Sequence, residues 1–247
     1  MELNEPTPPP PTTIWLDEQF RIRQQIIETD DESMQPLTYI GGVDISFVKG
    51  TNKALSAFIV MTFPSFIIVH QDYRIVEMTK PYISGFLAFR EVEHLKILVD
   101  HLKLTKPEIF PQIIMVDGNG VLHPRRCGLA SHLGVVCDVP TIGIGKNLLH
   151  VDGLDNTVVD TWKAETQLED LSNVRTLSLV GSSGQTFGVA LCMPQRTKPI
   201  FVSVGHRLSL STCLEVTVRC SKFRIPAPVR AADLGSREVL RGMKDAT

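Results

Sequence analysis

Three carboxylates of this chain sit where charge is expensive, and their surroundings indicate what they hold. Asp44 lies inside Tyr-Ile-Gly-Gly-Val-Asp-Ile-Ser-Phe, an apolar strand-like run in which an ionised carboxylate needs a cation or hydrogen bonds to compensate it. Asp117 ends Gln-Ile-Ile-Met-Val-Asp and precedes Gly118-Asn119-Gly120. Ligands of open α/β sheets gather at the carboxyl ends of strands, where glycines permit close approach. Glu91 belongs to a helical pattern: at about 100° per residue, Leu87, Glu91, Leu95, Leu98 and Leu102 fall within about 40° of one direction. That places Glu91 in the apolar stripe and leaves Glu93 to solvent. Bland alternatives are a strand-edge Asp44, a turn-forming Asp117 and a Glu91 paired with an arginine. Hard carboxylate oxygens without thiolates or several histidines predict magnesium or manganese rather than zinc. Such ions polarise phosphoryl oxygens and acidify an attacking water, so phosphodiester hydrolysis is the natural class of chemistry.

Cationic groups supply the complement. His206 follows the strand-like Pro199 to Val204 and one glycine, ahead of a helix capped by Ser209 or Ser211. His123 stands just before Arg125-Arg126, and Lys146 directly after a strand; groups at such loops can hold phosphates. Each alone is as well read as structural. If a helix begins at Pro228, Val229, Asp233, Ser236 and Leu240 share a face, so Asp233 points inward, as a fourth acidic group or as an arginine partner. A nucleotide hydrolase is excluded, because Gly143-Ile144-Gly145-Lys146-Asn147 lacks the early glycine and the Ser/Thr of a phosphate loop.

The elements that must position these residues follow from periodicity and punctuation. A helix is expected over 14–29, then strands near 39–48, 54–63 and 66–78, whose short turns imply antiparallel neighbours. Helix 84–104, strand 112–116, helix 127–137 and strand 140–144 then alternate as parallel strands with crossover helices do. Strands near 176–180, 186–192 and 199–204 lead to helices near 209–220 and 228–241. The expectation is one α/β domain over residues 14–247, a mixed sheet with helices on both faces, preceded by a disordered proline-rich tail over 1–13. The uncharged stretch 54–71 has membrane-like length, but Pro64 and its β-branched residues favour two strands.

The 247 residues carry net charge −2, which argues against bulk electrostatic coating of nucleic acid or membrane. The average hides a gradient: residues 1–35 hold two basic and eight acidic groups, residues 196–247 ten and four. Arg207, Arg219, Lys222, Arg224 and Arg230 in that basic segment are candidates for backbone phosphates. Five cysteines without metal-ligand spacing suit free thiols in a reducing compartment, and the acidic, proline-rich start is no secretory signal.

At these residues the sequence resembles the endonuclease V family. The segments are Gly-Gly-Val-Asp44-Ile-Ser-Phe, Pro81-Tyr82-Ile83-Ser84-Gly85 through Glu91, Val-Asp117-Gly-Asn-Gly-Val-Leu-His123, Ile-Gly-Lys146 and Val-Gly-His206-Arg-Leu-Ser, five in order between about Trp15 and Arg241. The resemblance implies a ribonuclease H-like fold and cleavage of inosine-containing nucleic acid at the second phosphodiester 3′ of the inosine, leaving 5′-phosphate and 3′-hydroxyl. By position it implies Asp44 and Asp117 as ligands of Mg2+, with Mn2+ able to substitute, Glu91 assisting, His206 orienting the water and Lys146 on the cleaved phosphate. Tyr82 matches the wedge that fills the gap left by the extruded base; a strand-core aromatic is the alternative. The hypoxanthine pocket would be built from main chain around Gly118, Gly120 and Gly128, with Leu87 nearby and His123 on the substrate side. Backbone donors around O6 with no room for a 2-amino group would separate hypoxanthine from adenine and guanine. Ser84 stands where bacterial members commonly have a second proline, as in animal members, which implies single-stranded RNA over deoxyinosine DNA. A monomer in the cytoplasm, nucleus or nucleolus, open to RNA-binding protein partners, is the accompanying expectation.

Overall fold

The computed structural model describes residues 11–30, 36–166 and 172–245. Helix α1 (Pro11–Gln25) precedes strands β1 (Tyr39–Phe47), β2 (Lys53–Thr62) and β3 (Ile68–Glu77). Helix α2 (Leu87–Thr105), β4 (Ile113–Asp117), α3 (Leu129–Cys137) and β5 (Thr141–Gly145) follow. Helix α4 (Asn156–Thr166), strands β6 (Arg175–Val180), β7 (Thr186–Cys192) and β8 (Ile200–His206), and helices α5 (Leu210–Arg219) and α6 (Ala227–Asp245) complete the order.

The eight strands form one mixed sheet in the order β3-β2-β1-β4-β5-β8-β7-β6. β1, β2 and β3 pair antiparallel, β4 and β5 join β1 in parallel, and β8, β7 and β6 return antiparallel. The mixed sheet expected from the sequence is therefore present. Alternating side chains assign its faces. Ile40, Ile113 and Met115 meet α1, α5 and α6 through Ile22, Val216 and Val229, while Val43, Ile114 and Val116 meet α2 and α3 through Leu95, Leu98 and Leu133. Removing any one of these fully buried leucines to alanine costs about 2 to 5 kcal/mol.

Three features differ from the sequence reading. Pro11, Thr12 and Thr13, assigned to the tail from composition, are the first turn of α1, where a proline lacks no needed donor; residues 1–10 lie outside the described residues. Helix α4 was not anticipated, because only Val159 and Trp162 are buried on it, too thin a stripe to register as periodic. The stretch 54–71 is β2, a turn at Pro64 and the start of β3, and among the described residues no helix is long and apolar enough to cross a membrane. Ser209 caps α5 by accepting from the Thr212 N–H at 3.2 Å.

Candidate active site

Asp44 and Asp117 follow the paired residues Val43 and Val116 of the parallel strands β1 and β4, so their side chains leave the sheet side by side at its carboxyl edge. Both fall on the face covered by α6. That helix lies against β1 at Gly42, where a Cβ would come within 2.2 Å of the Pro228 carbonyl. The close approach brings Asp233 of α6 into the groove lined by Asp44, Asp117, Lys146 and Arg237. Glu91 arrives from α2, on the opposite face of the sheet.

Burial and mutual repulsion favour the protonated forms of Asp44 and Glu91. Asp44 is 7% exposed; burial, a hydrogen bond shared with Asp117 and the Asp117 charge push its pKa up to about 8. Burial, followed by the charges of Asp44 and Asp117, also raises Glu91 to about 8. The Lys146 Nζ pairs with Asp117. Burial works against that ammonium, yet Asp117, Asp44 and Asp233 outweigh it and raise its pKa. A hydroxyl pair ties the groove together: Ser46 Oγ lies 3.3 Å from Asp44 Oδ2 and 2.7 Å from Ser236 Oγ, which donates to the Asp233 carbonyl at 3.0 Å. Asp233 also pairs with Arg237 at 2.7 Å. Among the described residues no three of His, Cys, Asp and Glu close around one point as a finished metal cage. What the groove offers is an open oxygen donor set with more acid than cation, which fits a hard divalent ion that keeps several waters.

A cavity of about 380 Å³ adjoins this groove and shares Asp117 and Lys146 with it. Tyr82, Leu87, Gly118, His123 and Gly128 all line it. Tyr82 is 66% exposed at its rim, which rules out a core aromatic. Gly128 caps α3 without a side-chain bond, and a Cβ there would meet the Asn119 carbonyl at 2.3 Å. Gly120 lies behind the wall instead: its N–H donates to Ser203 Oγ at 2.9 Å and its carbonyl accepts from Gly128, so neither faces the cavity.

His123 is a neutral fixture rather than a phosphate cation. Its Nδ1 accepts from the Arg125 N–H at 3.2 Å, which leaves Nε2–H to donate to the Gly85 carbonyl at 3.0 Å. Burial, helped by Arg125, lowers its pKa to about 4.

His206 is not at the site. β8 runs antiparallel to β5 and pairs His206 with Thr141, whereas Ile144 pairs with Asp117; the imidazole therefore stands about 10 Å down the sheet, toward its other end. It is buried, and its Nδ1 accepts from the Ile27 N–H at 3.2 Å. Most of the basic segment is also committed elsewhere: Arg207 pairs with Asp138, Arg219 lies over Phe63, and Arg230 lies over Phe223. Arg224 alone of these serves the groove, donating to the carbonyls of Lys146 and Pro199 and so fixing the loop that carries Lys146. Gln19, Asp233 and Arg237 are the site residues that sequence reasoning missed or undervalued.

The family model for Endonuclease V matches residues 20–234 of this chain. The chain belongs to the Endonuclease V family. Endonuclease V of Mus musculus and that of Homo sapiens are each 44% identical to it over 243 residues, 95% of this chain and 71% and 85% of the relatives. The crystal structure of the catalytic domain of human Endonuclease V, carrying four cysteine substitutions, superposes with a TM-score of 0.90 at 42% identity, covering 97% of this chain and all of that one. Ciona intestinalis Endonuclease V, solved with a 24mer DNA containing an inosine followed by a ribo-adenosine, superposes at 0.86 with 35% identity over 94% and 98% of the two chains. As a member of the Endonuclease V family the chain is an endonuclease.

Proposed function

We propose that this chain cuts inosine-containing RNA, single-stranded by preference, at the second phosphodiester 3′ of the inosine, with a divalent cation, and leaves 5′-phosphate and 3′-hydroxyl ends. The carrying observation is the wall shared by the cavity and the acidic groove: Asp117 and Lys146 line both. A base turned into the cavity leaves its 3′ backbone to run across the carboxylates, so the cut falls beside the base and not at it. The Ciona complex with inosine-containing DNA supports the choice of base. Preference for RNA rests on the Pro-Tyr-Ile-Ser segment around Ser84 and on the closeness to the mammalian relatives.

Asp44 and Asp117 would hold Mg2+ or Mn2+, with Glu91 and Asp233 acting on it directly or through water. A bound ion of this kind polarises the phosphoryl oxygen and acidifies the attacking water. The chain does the rest. Lys146 turns from Asp117 to the phosphate, Tyr82 stacks where the base departed, and Leu87 with Gly118 and Gly128 encloses the base. Arg237 at the groove, and Lys49 and Arg241 in the hollow beyond it, offer charge to the backbone past the cut.

The test is cleavage of matched inosine-bearing RNA and DNA oligonucleotides by the purified protein with Mg2+, with the product ends mapped. Faster cutting of RNA at the stated bond is expected. Equal or faster cutting of DNA overturns the RNA preference, and cutting of neither strand leaves a reader of deaminated bases.

A further inference from the structure

We infer that Gln19 is a positioning residue for base selection: its side-chain amide ties α1 to both walls of the base cavity and, together with His123 and Arg125, fixes the distance between them. The inference rests on the reading of that cavity as the inosine pocket.

Gln19 is 1% exposed and lines the cavity. Its amide is fully committed. Nε2 donates to the Gly85 carbonyl at 3.0 Å and to the Cys127 carbonyl at 3.1 Å, and Oε1 accepts from the Arg125 guanidinium. Gly85 ends the segment that carries Tyr82, one wall of the cavity. Cys127 precedes Gly128 and the first turn of α3, the other wall. No strand ladder joins Gly85 to Cys127, and the amide bridges them directly, beside the bonds that His123 and Arg125 make to Gly85.

The Gly85 end of this strut is built to be held. Gly85 has φ +77°, and a Cβ there would lie 2.8 Å from the Arg125 guanidinium. Its carbonyl accepts from three side chains, those of Gln19, His123 and Arg125. The other end of the strut is equally firm. One turn before Gln19, Trp15 stacks on Phe89 of α2 at 5.2 Å, and one turn after it Ile22 is in the core. Helix α1 is thus anchored without the amide, which makes Gln19 a spacer and not a requirement of the fold.

A pocket that separates hypoxanthine from guanine by the absence of one amino group depends on wall spacing far more than on total contact. Leucine at position 19 keeps the volume but strips the bridge, leaving the Cys127 carbonyl and the Arg125 Nε–H without this partner. The Gly85 wall is then held to the other only through His123 and Arg125, and the spacing loosens.

The experiment compares wild type with Gln19→Leu and Gln19→Met on single-stranded RNA bearing inosine, guanosine or adenosine at one position. Melting and far-ultraviolet circular dichroism verify the fold. Expected are a rise in KM for the inosine strand of about tenfold, a smaller change in kcat, and a fall of about tenfold in preference for inosine over guanosine, with unchanged affinity for an inosine-free strand. A folded variant with wild-type KM and preference overturns the inference. If both variants unfold, Arg125→Met removes from the other end both the bond to Gln19 and the direct bond to Gly85; a KM-weighted loss at least as large is expected, and unaltered selectivity again overturns the inference. A wild-type protein that does not distinguish inosine at all refutes the pocket reading, which is a separate outcome.

Discussion

Asp44 and Asp117 stand beside each other on neighbouring parallel strands, and at neutral pH the pair retains a proton that an unfolded chain has released. The sign follows from linkage. Asp44 titrates near 8 in the fold against 3.8 as a free carboxyl, so it costs stability increasingly as pH rises from about 4 to 8. Asp44→Asn should therefore stabilise the metal-free protein at pH 7, on the order of 1 to 3 kcal/mol, while abolishing cleavage and leaving RNA binding measurable. Melting with chelator, together with cleavage and gel-shift assays, checks all three. A less stable variant, or one that still cuts, defeats the assignment.

Asp233 and His206 exchange the importance that the sequence suggested for them. Asp233→Asn should reduce cleavage about 10- to 100-fold, since it alters the acid side of the groove. His206→Gln should keep cleavage near wild type and lower stability by about 1 kcal/mol, the worth of its bond to Ile27. Rates at saturating Mg2+ decide between them; a collapse of activity in His206→Gln alone would reverse the placement.

Tyr82 carries little of the fold, because most of its ring is in solvent. Tyr82→Ala should leave the melting temperature unchanged and weaken binding of inosine-containing strands by roughly 1 to 3 kcal/mol. Fluorescence anisotropy with labelled RNA reads this, and an unchanged Kd would show that nothing stacks there.

His123 and His132 are both buried neutral, with pKa values lowered to about 4 by burial first and by Arg125 or Lys80 second. An unfolded histidine takes its proton below about 6.5, so the stability these rings contribute is complete above that pH and is lost as pH falls toward 4. Asp44 and Glu91 pull the other way over much of this range, so the comparison is of slopes. Among the described residues His132 Nδ1 has no hydrogen-bond partner, and its ring packs edge-on to Phe89, which makes His132→Leu tolerable. That variant should lose stability less steeply than wild type between pH 6.5 and 4.5; parallel curves would mean that His132 titrates normally.

Legibility in the sequence followed what a single segment can encode. Glu91 was found because helix periodicity alone places it among leucines, Asp44 because a carboxylate inside an apolar run is a local pattern, and Asp117 because an apolar run ending in acid before glycine is another. His206 misled because strand direction is not a local property: a residue after a strand lies at the carboxyl edge only if that strand runs parallel to β4 and β5, and β8 does not. Gln19 left no trace, since its partners are 66 and 108 residues away and a glutamine on an amphipathic helix looks like any other. Asp233 was half legible. Its helix face could be derived, but its nearness to Asp44 depends on α6 settling against Gly42, and Gly235 inside that helix is accommodated by Tyr73, whose hydroxyl fills the space a Cβ would need.

The contact of α6 with β1 at Gly42 also sets a timetable. Asp44 is synthesised early and Asp233 near the end of the catalytic domain, so a growing chain can form β1 to β5 and still lack one side of its groove. Until the last helix docks, the groove lacks Asp233 and Arg237, so the complete lining of the groove comes together only after nearly all of the described chain has been made.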